Sequence, residues 1–147
     1  MSVDVLTKVL IDRPCAQVAS YAGNPDNAPR WYVNIKAVEW KTSPPLGVGS
    51  RLAFVAHFLG RRLAYTYEVV ELVTGSRLVM RTSEGPFPME TTYTWEAAGE
   101  DKTRMTLRNR GAPRGFSKLV APLMSTAMRR ANLHDLKRLK GILERSA

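Results

Sequence analysis

The sequence predicts an α+β fold in which a curved antiparallel sheet of seven strands wraps on a long C-terminal helix. Residues 115–145 carry apolar side chains at spacings of three and four, which is the period of an α-helix. Between residues 33 and 110, alternating apolar and polar residues are interrupted by short turn sequences, as in consecutive antiparallel strands. A chain of 147 residues fits a single core, so we expect one domain over residues 1–147.

The first strand and two short helices are predicted before the rest of the sheet. Residues 2–11 alternate in polarity and predict a strand, which ends at Asp12-Arg13-Pro14. Small apolar residues between positions 16 and 22 predict one or two helical turns. The turn sequence 23–27 separates them from a second short helix, predicted from Ala28 to Trp31 or Tyr32.

Six further strands are predicted, each ended by glycine, proline or polar turn residues. Because their connections are short, neighbouring strands must be antiparallel. Apolar residues such as Phe54 and Tyr67 share one face and charged residues such as Glu68 and Arg81 the other, so one face is expected to be buried by the helix. The predicted strands are Ile35–Thr42, Arg51–Leu59, Arg62–Val73, Arg77–Ser83, Met89–Glu96 and Lys102–Arg110.

The C-terminal helix is predicted to have two unlike halves. Pro122 lacks a backbone donor, which predicts a kink there; the alternative is that the helix proper begins near Pro122. Leucines in the second half are expected to close the core, whereas small and polar residues in the first half leave room for a cavity. The stripe that carries this change is Ala121, Ser125, Met128, Asn132, Leu136, Leu139 and Leu143.

Several short sequences resemble the helix-grip superfamily of START-related lipid-transfer, polyketide cyclase/dehydratase and pollen-allergen-like proteins (SRPBCC). The resemblance covers nearly the whole chain. It implies a helix-grip fold with a hydrophobic cavity between the sheet and the last helix, but it implies no single function. The sequences that carry it lie at turns and packing positions: Val9–Pro14, Asn24-Pro25, Arg30-Trp31, Gly47–Ser50, Gly60-Arg61, Leu136–Lys140 and Leu143-Glu144.

Strand parity predicts where such a cavity would open. The loops after the third, fifth and seventh strands lie at one end of the sheet, and they include both Gly/Pro-rich loops. We expect the arginines there to attract an anionic group of a ligand. The alternative is that Phe87 packs on Phe116 and the arginines are simply solvated. The predicted entrance residues are Arg61, Arg62, Phe87 and Arg114.

The predicted wall of the cavity combines inward-facing residues of the sheet and of the helix. Methionines suit such a wall because their thioethers adapt to the shape of a ligand, and tyrosines can stack or hydrogen-bond. The predicted ligand-binding residues are Trp31, Phe54, Phe58, Tyr65, Tyr67, Met80, Tyr93, Met105, Leu107, Asn109, Phe116, Val120, Met124 and Met128.

The sequence offers no convincing catalytic residue. His57 is predicted on the solvent face of the sheet and His134 on the helix surface, and neither has a neighbouring nucleophile. No metal-ligand spacing or phosphate-binding loop occurs, so neither a metal nor a cofactor is expected. Inward tyrosines could act as weak acids, although ligand orientation or core packing is the favoured interpretation. The single cysteine, Cys15, is expected to be buried and reduced.

The chain is basic, with 22 Lys and Arg residues against 13 Asp and Glu. Six of the nine net charges lie from Arg114 onward, yet no nucleic-acid-binding motif occurs, so a nucleic-acid partner is not expected. No apolar run approaches the ~20 residues of a membrane span, and the N-terminus lacks a signal-peptide pattern, so a cytoplasmic location is expected.

These observations predict a binding or carrier protein for a small hydrophobic or amphipathic ligand, such as a lipid or polyketide. Two alternatives stay open. The first is an enzyme of the polyketide cyclase/dehydratase type, which needs an inward acid or base that the sequence does not reveal. The second is an interaction module whose basic helix docks on an acidic protein or makes a peripheral contact with an anionic membrane.

Overall fold

The structure is a computed structural model that describes residues 3–58, 60–85, 88–111 and 121–145. Two short α-helices, α1 (Cys15–Ala22) and α2 (Ala28–Trp31), lie between the first two strands with a 3-10 turn, Pro25–Asn27, between them. A long helix, α3 (Ala121–Arg145), follows the last strand. The strands are β1 (Val3–Ile11), β2 (Ile35–Trp40), β3 (Arg51–Phe58), β4 (Arg61–Val73), β5 (Arg77–Glu84), β6 (Met89–Ala97) and β7 (Thr103–Gly111).

The seven strands form one antiparallel sheet in the order β1-β7-β6-β5-β4-β3-β2. The predicted α+β fold is therefore confirmed, with predicted and observed strand ends differing by at most two residues. The pairing of β1 with β7 was not predicted. It runs from Val3 opposite Gly111 to Ile11 opposite Thr103, and it joins the two ends of the described sheet sequence.

The sheet is irregular where it must curve around the helix. In the pairing of β4 with β5, the register shifts between Thr66 and Tyr67 and again between Val69 and Glu71. A further shift lies between Ile35 and Ala37 in β2. Because an extra residue in one strand bends that strand and increases its twist, these irregularities favour a concave inner face. That concave face holds the core.

Two apolar clusters fill opposite ends of the space between the sheet and α3. The larger cluster includes Leu136, Leu139 and Leu143, as predicted for the second half of the helix. The smaller cluster joins β1, β4 and β6 to the first half of α3 through Met124. Met124, a predicted ligand-binding residue, is 1% exposed, whereas its neighbour Leu123 is 70% exposed. Along α3, Ala131 and Asn132 lie between Met124 of the smaller cluster and Leu136 of the larger one.

Pro122 is the second residue of the described helix. The carbonyl of Pro122 accepts a hydrogen bond from Thr126 Oγ1 at 3.0 Å. The predicted helical residues 115–120, and with them the predicted kink, lie outside the described residues. None of the described helices is long and apolar enough to span a membrane.

The outer face of the sheet is charged, as the alternation predicts. Glu90 accepts hydrogen bonds from Arg81 Nε at 2.7 Å and from Arg110 Nη2 at 2.6 Å. The hydrogen bond from Arg81 is the main reason that the pKa of Glu90 lies below its ordinary value. His57 and His134 are exposed, as predicted, whereas Cys15 is only half-buried, with its Sγ 3.6 Å from the carbonyl oxygen of Gly75.

Candidate functional site

A cavity of about 140 Å³ lies between the inner face of the sheet and the first half of α3. Strands β3 to β7 form one wall, α3 forms the opposite wall, and residues 32–35 close one side. The cavity exists because α3 presents Ala131 and Asn132 here, whereas one or two turns later it presents leucines that reach the sheet. Small side chains on the helix leave space that the sheet residues do not fill.

Eight of the predicted ligand-binding residues line this cavity. Strand alternation places the sheet residues on the inner face, and the helical period places the two methionines of α3 opposite them. Phe54 and Tyr65 both pack against Tyr67, with ring centroids 5.8 and 5.9 Å apart respectively, so these three rings form a continuous aromatic surface. The eight residues are Phe54, Tyr65, Tyr67, Met80, Tyr93, Asn109, Met124 and Met128.

Three predicted ligand-binding residues do not line the cavity. Trp31, Met105 and Leu107 are completely buried in the larger apolar cluster, where they pack with the leucines of α3. Met105 and Leu107 do share the inward face of β7 with Asn109, but only Asn109 lies at the height of the small helical residues. Alternation predicts which face of the sheet a strand residue lies on, but it does not predict which turn of α3 lies opposite that residue. Phe116, Val120 and the side chain of Phe58 lie outside the described residues.

Ten further residues line the cavity and were not predicted to bind ligand. The two of greatest chemical interest are Asn132 and Asp135 on α3. Asn132 belongs to the helical stripe that was predicted to face the sheet, and Asp135 follows it by three residues, so the helical period could have found both. The charge of Asp135 instead suggested a surface position. The ten residues are Tyr32, Asn34, Ile35, Ala56, Leu63, Met89, Thr91, Ala131, Asn132 and Asp135.

Asp135 supplies a buried carboxyl group to the cavity. The residue is 2% exposed, and its Oδ1 accepts a hydrogen bond from the backbone N–H of Val33 at 2.8 Å. Burial raises the pKa of Asp135 to about 6, while the Val33 N–H and the charge of Arg138 act in the opposite direction. Such a pKa allows this carboxyl to gain or lose a proton close to neutral pH.

Asn132 supplies a buried amide to the same part of the cavity. The residue is 4% exposed, and its Nδ2 has no hydrogen-bond partner among the described residues. The other cavity asparagine, Asn109, has a hydrogen-bonded side chain, because its Oδ1 accepts a hydrogen bond from Thr91 Oγ1 at 2.6 Å. Most buried polar groups in proteins are hydrogen-bonded, so the Nδ2 of Asn132 is an exception that calls for a physical explanation.

Tyrosine hydroxyls add neutral hydrogen-bonding groups. The hydroxyls of Tyr32 and Tyr93 share a hydrogen bond, with 2.6 Å between their oxygens. Burial raises the pKa of Tyr67 to about 12, and a hydrogen bond with Thr91 acts in the opposite direction. Burial likewise raises the pKa values of Tyr32 and Tyr93, so these phenols stay protonated at neutral pH.

Among the described residues that line the cavity, none has a basic side chain, and Asp135 alone has a carboxyl group. Arg61 and Arg62 are exposed at the start of β4, at the end of the sheet that was predicted to be the entrance. Leu63 and Met89 bring the cavity wall close to that end. Phe87 and Arg114, the other predicted entrance residues, lie outside the described residues. Within the described part of the chain, no three His, Cys, Asp or Glu residues are grouped closely enough to hold a metal ion.

The sequence matches a family model described as polyketide cyclase/dehydrase and lipid transport over residues 2–144. No functionally curated protein matches the chain. Many solved structures have the same architecture, and three of them are described below.

TTHA0849 from Thermus thermophilus is 22% identical, with a TM-score of 0.80, and the match covers 98% of this chain and 99% of that one. A START superfamily protein from Mycobacterium smegmatis is 16% identical, with a TM-score of 0.80 and coverage of 96% and 97%. The Zhui aromatase/cyclase from Streptomyces sp. R1128 is 15% identical, with a TM-score of 0.81 and coverage of 97% and 93%. At these identities the likeness shows a shared helix-grip fold.

Proposed function

Because the chain belongs to the polyketide cyclase/dehydrase and lipid transport family, we propose that it binds a small hydrophobic or amphipathic ligand between the sheet and α3. The observation that carries this proposal is the cavity itself, whose lining is mostly aromatic and aliphatic with a few convergent polar groups. That combination is typical of small-molecule sites. The predicted ligand-binding residues that line it, together with Asn132 and Asp135, are the proposed binding residues.

The volume of the cavity limits what it accepts without rearrangement. About 140 Å³ is close to the ~150 Å³ of an engineered cavity that binds benzene, and below the ~300 Å³ at which common ligand pockets begin. The cavity therefore suits one ring or a short acyl chain. Four methionines, Met80, Met89, Met124 and Met128, contribute to its wall and can change rotamer to accept a somewhat larger molecule.

The proposal is tested by filling the cavity from the sheet. Ala56 on β3 lines the cavity, so Ala56→Phe should occupy much of the space. Ala64 lies on the neighbouring strand β4 and is exposed, so Ala64→Phe is the matched control. Ethylbenzene titrated into each protein by calorimetry should bind the wild type and Ala64→Phe, and binding to Ala56→Phe should be at least tenfold weaker.

Native mass spectrometry of protein purified without detergent should also reveal any retained ligand of low mass. Circular dichroism and thermal unfolding check that Ala56→Phe is folded, since overpacking costs about 1–3 kcal/mol. Equal ethylbenzene binding by Ala56→Phe and Ala64→Phe would place the binding elsewhere, and no binding by the wild type would refute the proposal.

One observation favours a second function, an enzyme of the cyclase/dehydratase type. Asp135 is an inward carboxyl group with a pKa of about 6, which suits proton transfer near neutral pH. A linear poly-β-keto thioester incubated with the protein separates the two functions. An enzyme should give cyclised, ultraviolet-absorbing product that is lost in Asp135→Asn, whereas a carrier should return the compound unchanged.

A further inference from the structure

The cavity has a polar end on α3, formed by Asn132 and Asp135. Residues three apart on a helix lie on the same side of it, and Asn132 and Asp135 both line the cavity. We infer that the ligand is uncharged and carries an acceptor oxygen, such as a ketone or amide carbonyl, that takes a hydrogen bond from Asn132 Nδ2. This inference rests on the proposed function and narrows the ligand class of the same site.

The unpaired amide of Asn132 is the first reason. Its Nδ2 can only donate, and it has no acceptor among the described residues although the residue is 4% exposed. A buried donor without a partner is unfavourable, so a ligand that supplies an acceptor gains affinity by pairing with it.

The charge of the cavity is the second reason. A carboxylate ligand would enter a space that has no lysine, arginine or histidine among its described lining residues, and it would approach the carboxyl group of Asp135. It would lose hydration without gaining a counter-charge. An ammonium ligand could pair with Asp135, but it would leave the Asn132 donor unpaired and facing a positive charge. A neutral acceptor pairs with the Asn132 donor and brings no second charge beside Asp135.

This inference concerns the part of the ligand inside the cavity, whereas the anionic group expected from the sequence lies at the entrance. The exposed arginines at the start of β4 suggested an anionic group on the ligand, and those arginines do not line the cavity. An anionic group could therefore be accommodated only outside the cavity wall that the described residues form. The part of the ligand that enters the cavity is expected to be neutral.

The experiment compares probes of one size with different polar groups. Acetophenone carries the carbonyl acceptor, ethylbenzene replaces it with an apolar group, and benzoate replaces it with an anion. Titrations at pH 8 keep Asp135 ionised. Asn132→Leu removes the donor at similar volume, and Met128→Leu changes another cavity residue of α3 without removing a donor.

Asn132→Leu should weaken the binding of acetophenone by roughly 3- to 10-fold, which is the range expected for the loss of one hydrogen bond. The affinity for ethylbenzene should stay the same or increase. Met128→Leu should change the affinities for acetophenone and ethylbenzene by the same factor. Benzoate should bind the wild type at least tenfold more weakly than acetophenone. Asp135→Asn should strengthen the binding of benzoate, because it removes the carboxylate that the anion would approach. Asn132→Met, with a similar loss of the donor, should reproduce the result if Asn132→Leu folds poorly.

The outcomes separate this inference from the proposed function. If ethylbenzene binds but Asn132→Leu changes the affinities for both neutral probes equally, the cavity binds apolar ligands and the inference is wrong, because the Asn132 amide then makes no hydrogen bond that is specific to the carbonyl. Benzoate that binds as tightly as acetophenone would also overturn it. If none of the three probes binds the wild type, the proposed function fails and the inference fails with it.

Discussion

Replacing Asp135 with asparagine should stabilise the protein at pH 8 and have much less effect at pH 4. Asparagine keeps an oxygen that can accept the Val33 N–H, which lies 2.8 Å from the present carboxyl oxygen, but it cannot ionise. Burial raises the pKa of Asp135 from its ordinary value of 3.8 to about 6. The folded protein therefore holds the proton more tightly than the unfolded chain does.

The sign and size of the effect follow from the two pKa values. Below pH 3.8 the carboxyl group is neutral in both states, and above pH 6 the folded state must bury a charge that the unfolded chain exposes to water. Stability contributed by this residue is thus lost as the pH rises from about 4 to 6. The separation of the two pKa values, at about 1.4 kcal/mol per pH unit, corresponds to roughly 3 kcal/mol of unfolding free energy.

Urea unfolding of the wild type and of Asp135→Asn at pH 4, 6 and 8 measures this effect. The difference in unfolding free energy between the two proteins isolates residue 135, because every other titratable group is common to both. The amide of the new asparagine adds a constant offset, so the change of the difference with pH is the quantity to compare. The same substitution at exposed Asp101 is the control and should stay within about 0.5 kcal/mol at every pH.

A difference between wild type and Asp135→Asn that is constant from pH 4 to 8 would show that the carboxyl group is hydrated in the folded protein. A variant that becomes relatively less stable as the pH rises would show that the buried carboxylate is stabilised by its surroundings. Either result would refute the desolvation of the Asp135 carboxyl group, on which both the second function and the inferred exclusion of anions depend.

Two further predictions concern the structures that bound the cavity. Leu139→Ala should cost about 2–5 kcal/mol of unfolding free energy, because Leu139 is completely buried in the larger cluster; an unchanged urea midpoint would mean that the leucine half of α3 does not close the core. Gly111→Ala should lower the unfolding free energy by about 1–3 kcal/mol and weaken ethylbenzene binding. The added carbon would lie 2.8 Å from the carbonyl oxygen of Pro88 and would press on Met89, a cavity residue. Gly47→Ala is the control, since Gly47 has open space around it, and this variant should unfold like the wild type.

Much of the fold could be predicted because its causes are local. The alternation of Leu63, Tyr65 and Val69 with more exposed neighbours shows which face of β4 is buried. The spacing of Leu136, Leu139 and Leu143 determines which side of α3 meets the sheet. Turn sequences rich in glycine and proline place the strand ends to within two residues. Each of these features depends on neighbours that lie a few residues away in the chain.

The site was harder to predict, because a cavity forms only where the side chains on the opposite wall are too small to fill the space. Met105, Leu107 and Asn109 have the same local pattern, yet only Asn109 faces small helical residues across the core. Asp135 has the sequence context of a surface residue, but α2 and the chain after it bring the N–H of Val33 to its carboxyl group. The period of α3 could have indicated its inward position, and only its charge argued against it.

The sequence by itself determined the secondary structure, the buried faces of the strands, the closing role of the helical leucines and the family resemblance. The tertiary structure decided that β1 pairs with β7, that the cavity lies between two apolar clusters, and that its polar end consists of Asn132 and Asp135. The physical reason is the range of the interactions. Backbone geometry fixes side-chain direction within a few residues, whereas cavity shape and the pKa of a buried carboxyl group depend on contacts between residues about a hundred positions apart.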